Sequence, residues 1–517
     1  MNGAHALIET LVRSGLEVCF ANPGTSEMQL VQAIDQIPGM HPVLALFEGV
    51  VTGAADGYAR MARKPACTLL HLGPGLANGV ANLHNARKAL SPVVNVVGDH
   101  ALHHVRFDAP LTSDLEGIAR PISHWLRSAS SPAELAALGA EAVAQAGTVP
   151  GRIATVLAPA DCAWTDLPAD YQPPALRAID PLPEVPNHQI EHVVRALRRA
   201  RNPVILLGGE ALLDEGARHA GRIAAALPVR LHAETFNRRL ERGVGRVPVG
   251  IVPYFGDRAL ELLAGVDLIV LAGSKRPVAF FAYPNKPSVL VPEGCEVVNL
   301  AGPTDDAVRA LAALADALKA PPAPRIFQAP ADMPAVHGAL TPALAAAVIG
   351  RCLPPGAIVI DEAITCSLFA QQATLASPPH DWLQLMGGSI GDGLPLAVGA
   401  AVACRDRKVI CLEGDGSAMY TVQSLWTMAR EQLDVVNIIF SNRSYAILNI
   451  EFERVGVGAP GPRALSMLDM GNPALRWVEL AHGLGVEAAR VDTAEAFERV
   501  LRGMLATRGP HLIEVVL

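Results

Sequence analysis

Nowhere in this 517-residue chain do basic residues gather into a long run, and the formal net charge is −8. Nucleic acid and an anionic membrane surface are therefore poor choices of main partner. No CxxC spacing occurs among the eight cysteines, Cys19, Cys67, Cys162, Cys295, Cys352, Cys366, Cys404 and Cys411. Several of them sit in apolar runs such as "KVICLEGDG", so buried free thiols in a reducing cytoplasm are expected. No uninterrupted apolar span reaches about 18 residues, which removes the expectation of a membrane-crossing helix. The opening "MNGAHALIETLVRSGLEVCF" has no basic stretch leading into an apolar one and reads as an amphipathic helix followed by a strand. No GxGxxG stands between a strand and a helix, which leaves a dinucleotide-dependent oxidoreductase a minor alternative.

Half of the residues are apolar and 18% are charged, so the chain can bury large cores and divide into several domains. Short runs rich in Val, Ile and Leu alternate with helix-like segments: "EVCFAN", "ACTLLHL", "PVVNVVGD", "PVILLGG", "DLIVLAG", "AIVIDE", "KVICLEGDG" and "VVNIIFSN". Strands buried on both faces with crossover helices give this pattern, and it predicts an α/β chain of doubly wound parallel sheets. Proline-rich stretches at roughly 166–189 and 317–338 read as linkers. Three domains follow, 1–165, 186–320 and 338–517.

Ligands of open parallel sheets bind beyond the carboxyl ends of the strands, and the loops at those ends are rich in Gly, Asp and Asn. One pair stands out. "KVICLEGDGSAMY" sets Asp415 after a strand, between Gly414 and Gly416, and "VVNIIFSNRSY" delivers Asn442 to the end of the next strand, 27 residues on. The Asp415 carboxylate, the Asn442 side-chain oxygen and the Ser444 main-chain carbonyl make a hard oxygen set suited to Mg²⁺, with positions left for diphosphate oxygens. Amides and the Ser417 hydroxyl at the following helix start can hold phosphates. Taken singly, a GDG is most often a turn and an Asn after a strand a cap.

The ordered pair resembles the thiamine diphosphate (ThDP) motif of the superfamily of 2-oxo acid decarboxylases and acetolactate synthases, and the resemblance extends over essentially the whole chain. It implies a pyrimidine-binding domain at 1–165, a middle nucleotide-fold-like domain at 186–320 and a diphosphate-binding domain at 338–517. It implies further that Gly414, Gly416, Ser417, Asn442, Ser444 and Tyr445 contact the cofactor. A Glu of the N-terminal domain should activate it. Glu48, ahead of the family-like "GAADGYAR", fits that role, although alone it would read as a helix-start acid. The resemblance puts Ile390 beneath the bent cofactor and gives the Gly388 carbonyl to its amino group. In such enzymes the two cofactor-binding domains come from different subunits, so a homodimer is the minimum unit and a homotetramer the family habit.

The pocket resembles two subfamilies at once. "LHLGPG" carries the GPG loop of acetolactate synthases, yet His71 stands where benzoylformate decarboxylases carry a pocket histidine, and Thr25 in "NPGTSE" where they place a serine. A packed, carbonyl-bound histidine is the plainer alternative for His71. Where those decarboxylases supply a second histidine, "KRPVAFFAYPNKPS" offers Phe281 and Ala282. Nothing in "RLERGVGRVPVGIVPYFG" resembles the segments that contact FAD, so FAD is doubtful. The expected activity is ThDP- and Mg²⁺-dependent decarboxylation of a small 2-oxo acid with carboligation, as in acetolactate synthases. Simple decarboxylation to an aldehyde is the close alternative, and a cofactor-silent paralogue a remote one.

Overall fold

The computed structural model describes residues 1–176, 178 and 181–517, so Arg177, Ile179 and Asp180, inside the first expected linker, lie outside the described residues. The Val-, Ile- and Leu-rich runs form strands, and most of their side chains are buried on both faces. The first sheet takes β1 (Val18–Asn22), β2 (His41–Leu44), β3 (Ala66–His71), β4 (Val93–Asp99), β5 (Trp125–Ser128) and β6 (Ile153–Pro159) in the order β2-β1-β3-β4-β6-β5, every pair parallel.

A second sheet takes β7 (Pro203–Leu207), β8 (Arg230–Ala233), β10 (Gly250–Ile251), β11 (Leu268–Ala272) and β12 (Glu296–Ala301) in the order β10-β8-β7-β11-β12, again all parallel. The third takes β13 (Ile358–Glu362), β14 (His380–Gln384), β15 (Val409–Gly414), β16 (Val435–Ser441), β17 (Glu487–Val491) and β18 (His511–Val516). Its seventh strand comes from elsewhere in the chain. β9 (Leu240–Arg242), which follows β8 in sequence, pairs antiparallel with β14 at the edge of the third sheet. Among the described residues no helix is long and apolar enough to cross a membrane.

The first and third sheets are brought together by two helices. Glu48–Ala62 and Gly393–Ala403 are rich in Gly and Ala, and their backbones nearly touch. A Cβ on Gly399 would lie 1.9 Å from the Ala54 carbonyl oxygen, and one on Gly57 would lie 2.2 Å from that of Leu396. Only hydrogen in place of a side chain permits that crossing. A buried ion pair supports it: Arg60 Nε donates to Asp56 Oδ1 at 2.8 Å, and Arg60 Nη1 donates across to the Gln384 carbonyl at 2.7 Å.

Candidate active site

Adjacent parallel strands end together, and in β15 and β16 the register pairs Gly414 with Phe440. The turns that follow therefore meet. Asp415 is buried, its Oδ2 accepting from Arg443 N at 2.7 Å and its Oδ1 from Gly416 N at 2.9 Å. Burial pushes its carboxyl above the ordinary range, and the Arg443 and Gly416 amides pull the other way. Arg443 takes a left-handed turn (φ 55°), and Asn442 Oδ1 accepts from Ser444 N at 3.0 Å. The turns that carry Asp415 and Asn442 are thus brought together. Among the described residues no group of three or more His, Cys, Asp or Glu is positioned to hold a metal. A divalent ion at this turn fits only as a bridge to a bound anion, as one carboxylate with neutral oxygens would require.

Tyr445 lies over Gly416, where a Cβ would be 2.5 Å from its ring. Ser417 differs from expectation. Its hydroxyl points inward, donating to Glu413 Oε2 at 3.0 Å and to the Gly414 carbonyl at 3.1 Å, because buried Glu413 stands behind the turn and needs donors.

The loop that carries Gly388 and Ile390 precedes the helix Gly393–Ala403. Gly388 (φ +75°) and Gly391 (φ +92°) bend it, and only glycine adopts both angles without strain. Residues of the first unit hold it: Asn82 Nδ2 donates to the Gly391 carbonyl at 3.1 Å, and Asn85 Nδ2 to that of Ser389 at 2.8 Å. Against Gly388 stands Phe280, whose Cζ would be 2.6 Å from a Cβ there. Its ring is the near edge of a cluster with Phe236, Tyr254 and Phe281, at centroid separations of 5.4, 5.4 and 4.7 Å. Tyr283 ties that segment to the helix Ala446–Arg454 by donating to Glu451 Oε2 at 2.7 Å, while Arg454 covers Phe255 at 3.9 Å.

The first sheet supplies a second group of residues. Glu48, buried at the start of its helix, accepts from Asn78 Nδ2 at 2.9 Å. His71 ends β3, and Gly75 bridges the two, a Cβ on it lying 3.2 Å from Glu48 Oε1 and 3.3 Å from His71 Cβ. His71 Nδ1 and Glu27 Oε2 form a hydrogen-bonded pair at 2.8 Å, and Ser26 Oγ lies 3.3 Å from the same nitrogen. Glu27 is fully buried and accepts from Gly24 N at 2.7 Å. A Cβ on Gly24 would lie 2.3 Å from the imidazole, so that glycine lets the ring rest against the loop. His71 is therefore held by a carboxylate, not by a carbonyl, and Thr25 opens a short 3₁₀ turn with its side chain exposed.

Sequence reasoning singled out neither Glu27, Asn78 and Glu362 nor Phe280. Glu27 lay inside the quoted "NPGTSE", three residues after the bend at Gly24, which was its only signal. Among the described residues no hydrogen bond or ion pair joins Glu27, Glu48 or His71 to Asp415, Asn442 or Ser444 of the same chain.

Residues 1–119 match the family model described as "Thiamine pyrophosphate enzyme, N-terminal TPP binding domain", and residues 363–515 match its C-terminal TPP binding domain counterpart. A protein of Mycobacterium tuberculosis named "Putative acetolactate synthase large subunit IlvX" is 51% identical, over 100% of this chain and 99% of its own. The benzoylformate decarboxylase of Pseudomonas aeruginosa is 30% identical, over 99% and 98%. Among solved structures, the thiamine diphosphate-dependent 4-hydroxybenzoylformate decarboxylase of Rhodococcus jostii RHA1 superposes with a TM-score of 0.85 at 25% identity, over 100% of this chain and 99% of its own.

Proposed function

Because this chain belongs to the family of thiamine pyrophosphate enzymes, we propose that it uses ThDP and Mg²⁺ to decarboxylate a small 2-oxo acid and to join the remaining fragment to a second carbonyl compound. Bound ThDP supplies the electron sink that loss of CO₂ from a 2-oxo acid requires. In this reading Asp415, Asn442 and the Ser444 carbonyl would hold Mg²⁺, and Gly414, Gly416 and Tyr445 would contact the cofactor's diphosphate. The bent loop offers the Gly388 carbonyl and the Ile390 side chain. Glu48, whose Oε2 is engaged by Asn78, keeps Oε1 to exchange a proton with the cofactor ring. His71, with Nδ1 turned to Glu27, keeps Nε2 to donate to a substrate carboxylate or a developing alkoxide, and Thr25 stands on the neighbouring loop.

The observation that supports joining over simple release is the aromatic wall. Phe280 against Gly388, backed by Phe236, Tyr254 and Phe281, brings no imidazole to that side of the site. Tyr283 is a poor acid there, since burial and the Glu451 carboxylate hold its phenol well above its ordinary range. An aromatic wall without a proton donor favours capture by a carbonyl over protonation. Simple decarboxylation to an aldehyde is favoured by a different feature, the Glu27–His71 pair, which could deliver a proton.

Product identification separates the two. Pyruvate, with and without an added aldehyde acceptor, should yield a hydroxyketone or acetolactate, whereas aldehyde as the sole product would reject the joining reading. The same reading makes a homodimer the smallest active unit, a partner's Glu48 serving each Asp415 turn, and a homotetramer the expected assembly. Eight free thiols, six of them buried, fit the cytoplasm we propose for it.

A further inference from the structure

Glu362 ends β13, beside β15, with its carboxyl almost entirely buried at 1% exposure. Both of its oxygens serve one loop. Oε1 accepts from Gly391 N at 2.8 Å, and Oε2 accepts from Asp392 N at 3.0 Å and Gly393 N at 2.5 Å. Glu413 stands opposite Glu362 in the strand register, shares a hydrogen bond with it and accepts from Ser417 Oγ at 3.0 Å. The two carboxyls close around Gly393, where a Cβ would lie 2.1 Å from Glu413 Oε1 and 3.0 Å from Glu362 Oε2. An unbroken chain of hydrogen bonds therefore runs from the loop bearing Gly388 and Ile390, through Glu362, Glu413 and Ser417, to the Asp415 turn.

We propose that Glu362 is a positioning residue, whose carboxylate fixes the Gly388–Gly393 bend, and with it Ile390, relative to the Asp415 turn. A helix start can be capped by a small hydroxyl or amide side chain at little cost, whereas burying a carboxylate is expensive unless several donors converge on it. Here three amides of one loop do so, with Glu413 the other partner of the Glu362 carboxyl. Three backbone N–H groups converging on its two oxygens suit Glu362 as a carboxylate acceptor. This inference rests on the ThDP reading above.

Glu362→Gln tests it, because an amide nitrogen in place of either oxygen must face at least one backbone N–H. Three quantities are compared with wild type: ThDP affinity by calorimetry with Mg²⁺ present, hydrogen–deuterium exchange at C2 of the bound cofactor, and the kcat and KM for the best 2-oxo acid. We expect ThDP still to bind, KM within about threefold, and both C2 exchange and kcat lowered about 10- to 100-fold. Ile390→Ala, with the clamp intact, should show the same signature. If Glu362 acts through Ile390, the double variant loses little more than the worse single one, so additive losses would overturn the proposal. Wild-type C2 exchange in folded, ThDP-bound Glu362→Gln would overturn it as well. Should Glu362→Gln fail to fold, wild-type exchange in Ile390→Ala would do so alone. Wild-type protein that takes up no ThDP would overturn this inference and the proposed function together, and is read from the wild-type arm.

Discussion

Replacing Glu27 by Gln changes one atom type in a fully buried side chain and leaves its volume almost unaltered. The wild-type carboxylate accepts from Gly24 N at 2.7 Å, from the Ser26 hydroxyl, and from His71 Nδ1 at 2.8 Å. Gly24 N and His71 Nδ1 both face Oε2, so a glutamine oxygen placed there goes on accepting from both, with its nitrogen turned to the Ser26 hydroxyl. The imidazole can keep donating from Nδ1, but no neighbouring charge remains to stabilise the protonated ring. A charge-assisted hydrogen bond of this kind contributes about 1.5–3 kcal/mol, so kcat should fall about 10- to 150-fold if the pair works in the transition state. Stability should change by no more than about 1 kcal/mol, since glutamine keeps the hydrogen bonds to Gly24 N and His71 while a buried charge is removed. Steady-state kinetics on the best 2-oxo acid, a thermal melt and a ThDP titration are run side by side. Unchanged kcat per folded molecule together with an earlier melt would show that Glu27 and His71 only pack the loop.

Glu48→Gln keeps an oxygen for Asn78, so ThDP should remain bound while C2 exchange slows by about 10²–10⁴, and wild-type exchange would reduce Glu48 to a helix-start acid. Asp415→Ala should abolish Mg²⁺-dependent ThDP binding in calorimetry, and unaltered affinity would remove Asp415 from the metal site. Glu234→Gln addresses pH. Burial raises Glu234 to about 7 from 4.5, so the folded state favours its neutral form, and a penalty accumulates as pH rises from about 4.5 and is complete above about 7. The glutamine variant should therefore melt higher than wild type by an amount that grows over that window and then levels off, worth at most about 3 kcal/mol. A difference independent of pH would contradict that account.

β1, β3, β4, β7, β11, β13, β15 and β16 were legible in the sequence because each lies in a short apolar run. β9, "LER", was not: a three-residue edge strand with two charged side chains has no signature of its own and exists only because β14 offers an edge. The meeting of Asp415 with Asn442 could be read because consecutive parallel strands in register must end side by side. Glu27 could not be given its role, since its partner His71 is 44 residues away and only the 3₁₀ turn after Gly24 aims it there. Glu362, in "AIVIDEAIT", resembled any acid at a strand end until the amides of a loop about 30 residues on closed over it. Phe280 belongs to a segment whose direction depends on how the second sheet meets the Gly388 loop, which no local pattern encodes. Ser417 misled for a related reason, because a buried Glu413 behind the turn claims its hydroxyl.

The account is tested most directly by measuring CO₂ release from a panel of 2-oxo acids by metal-stripped, cofactor-free protein before and after addition of ThDP and Mg²⁺. It predicts no turnover from the stripped protein, recovery only when both are supplied, and a carbon–carbon-joined product from the best substrate. Release of CO₂ without ThDP, or none from any acid of the panel with both supplied in saturating amounts, would contradict it.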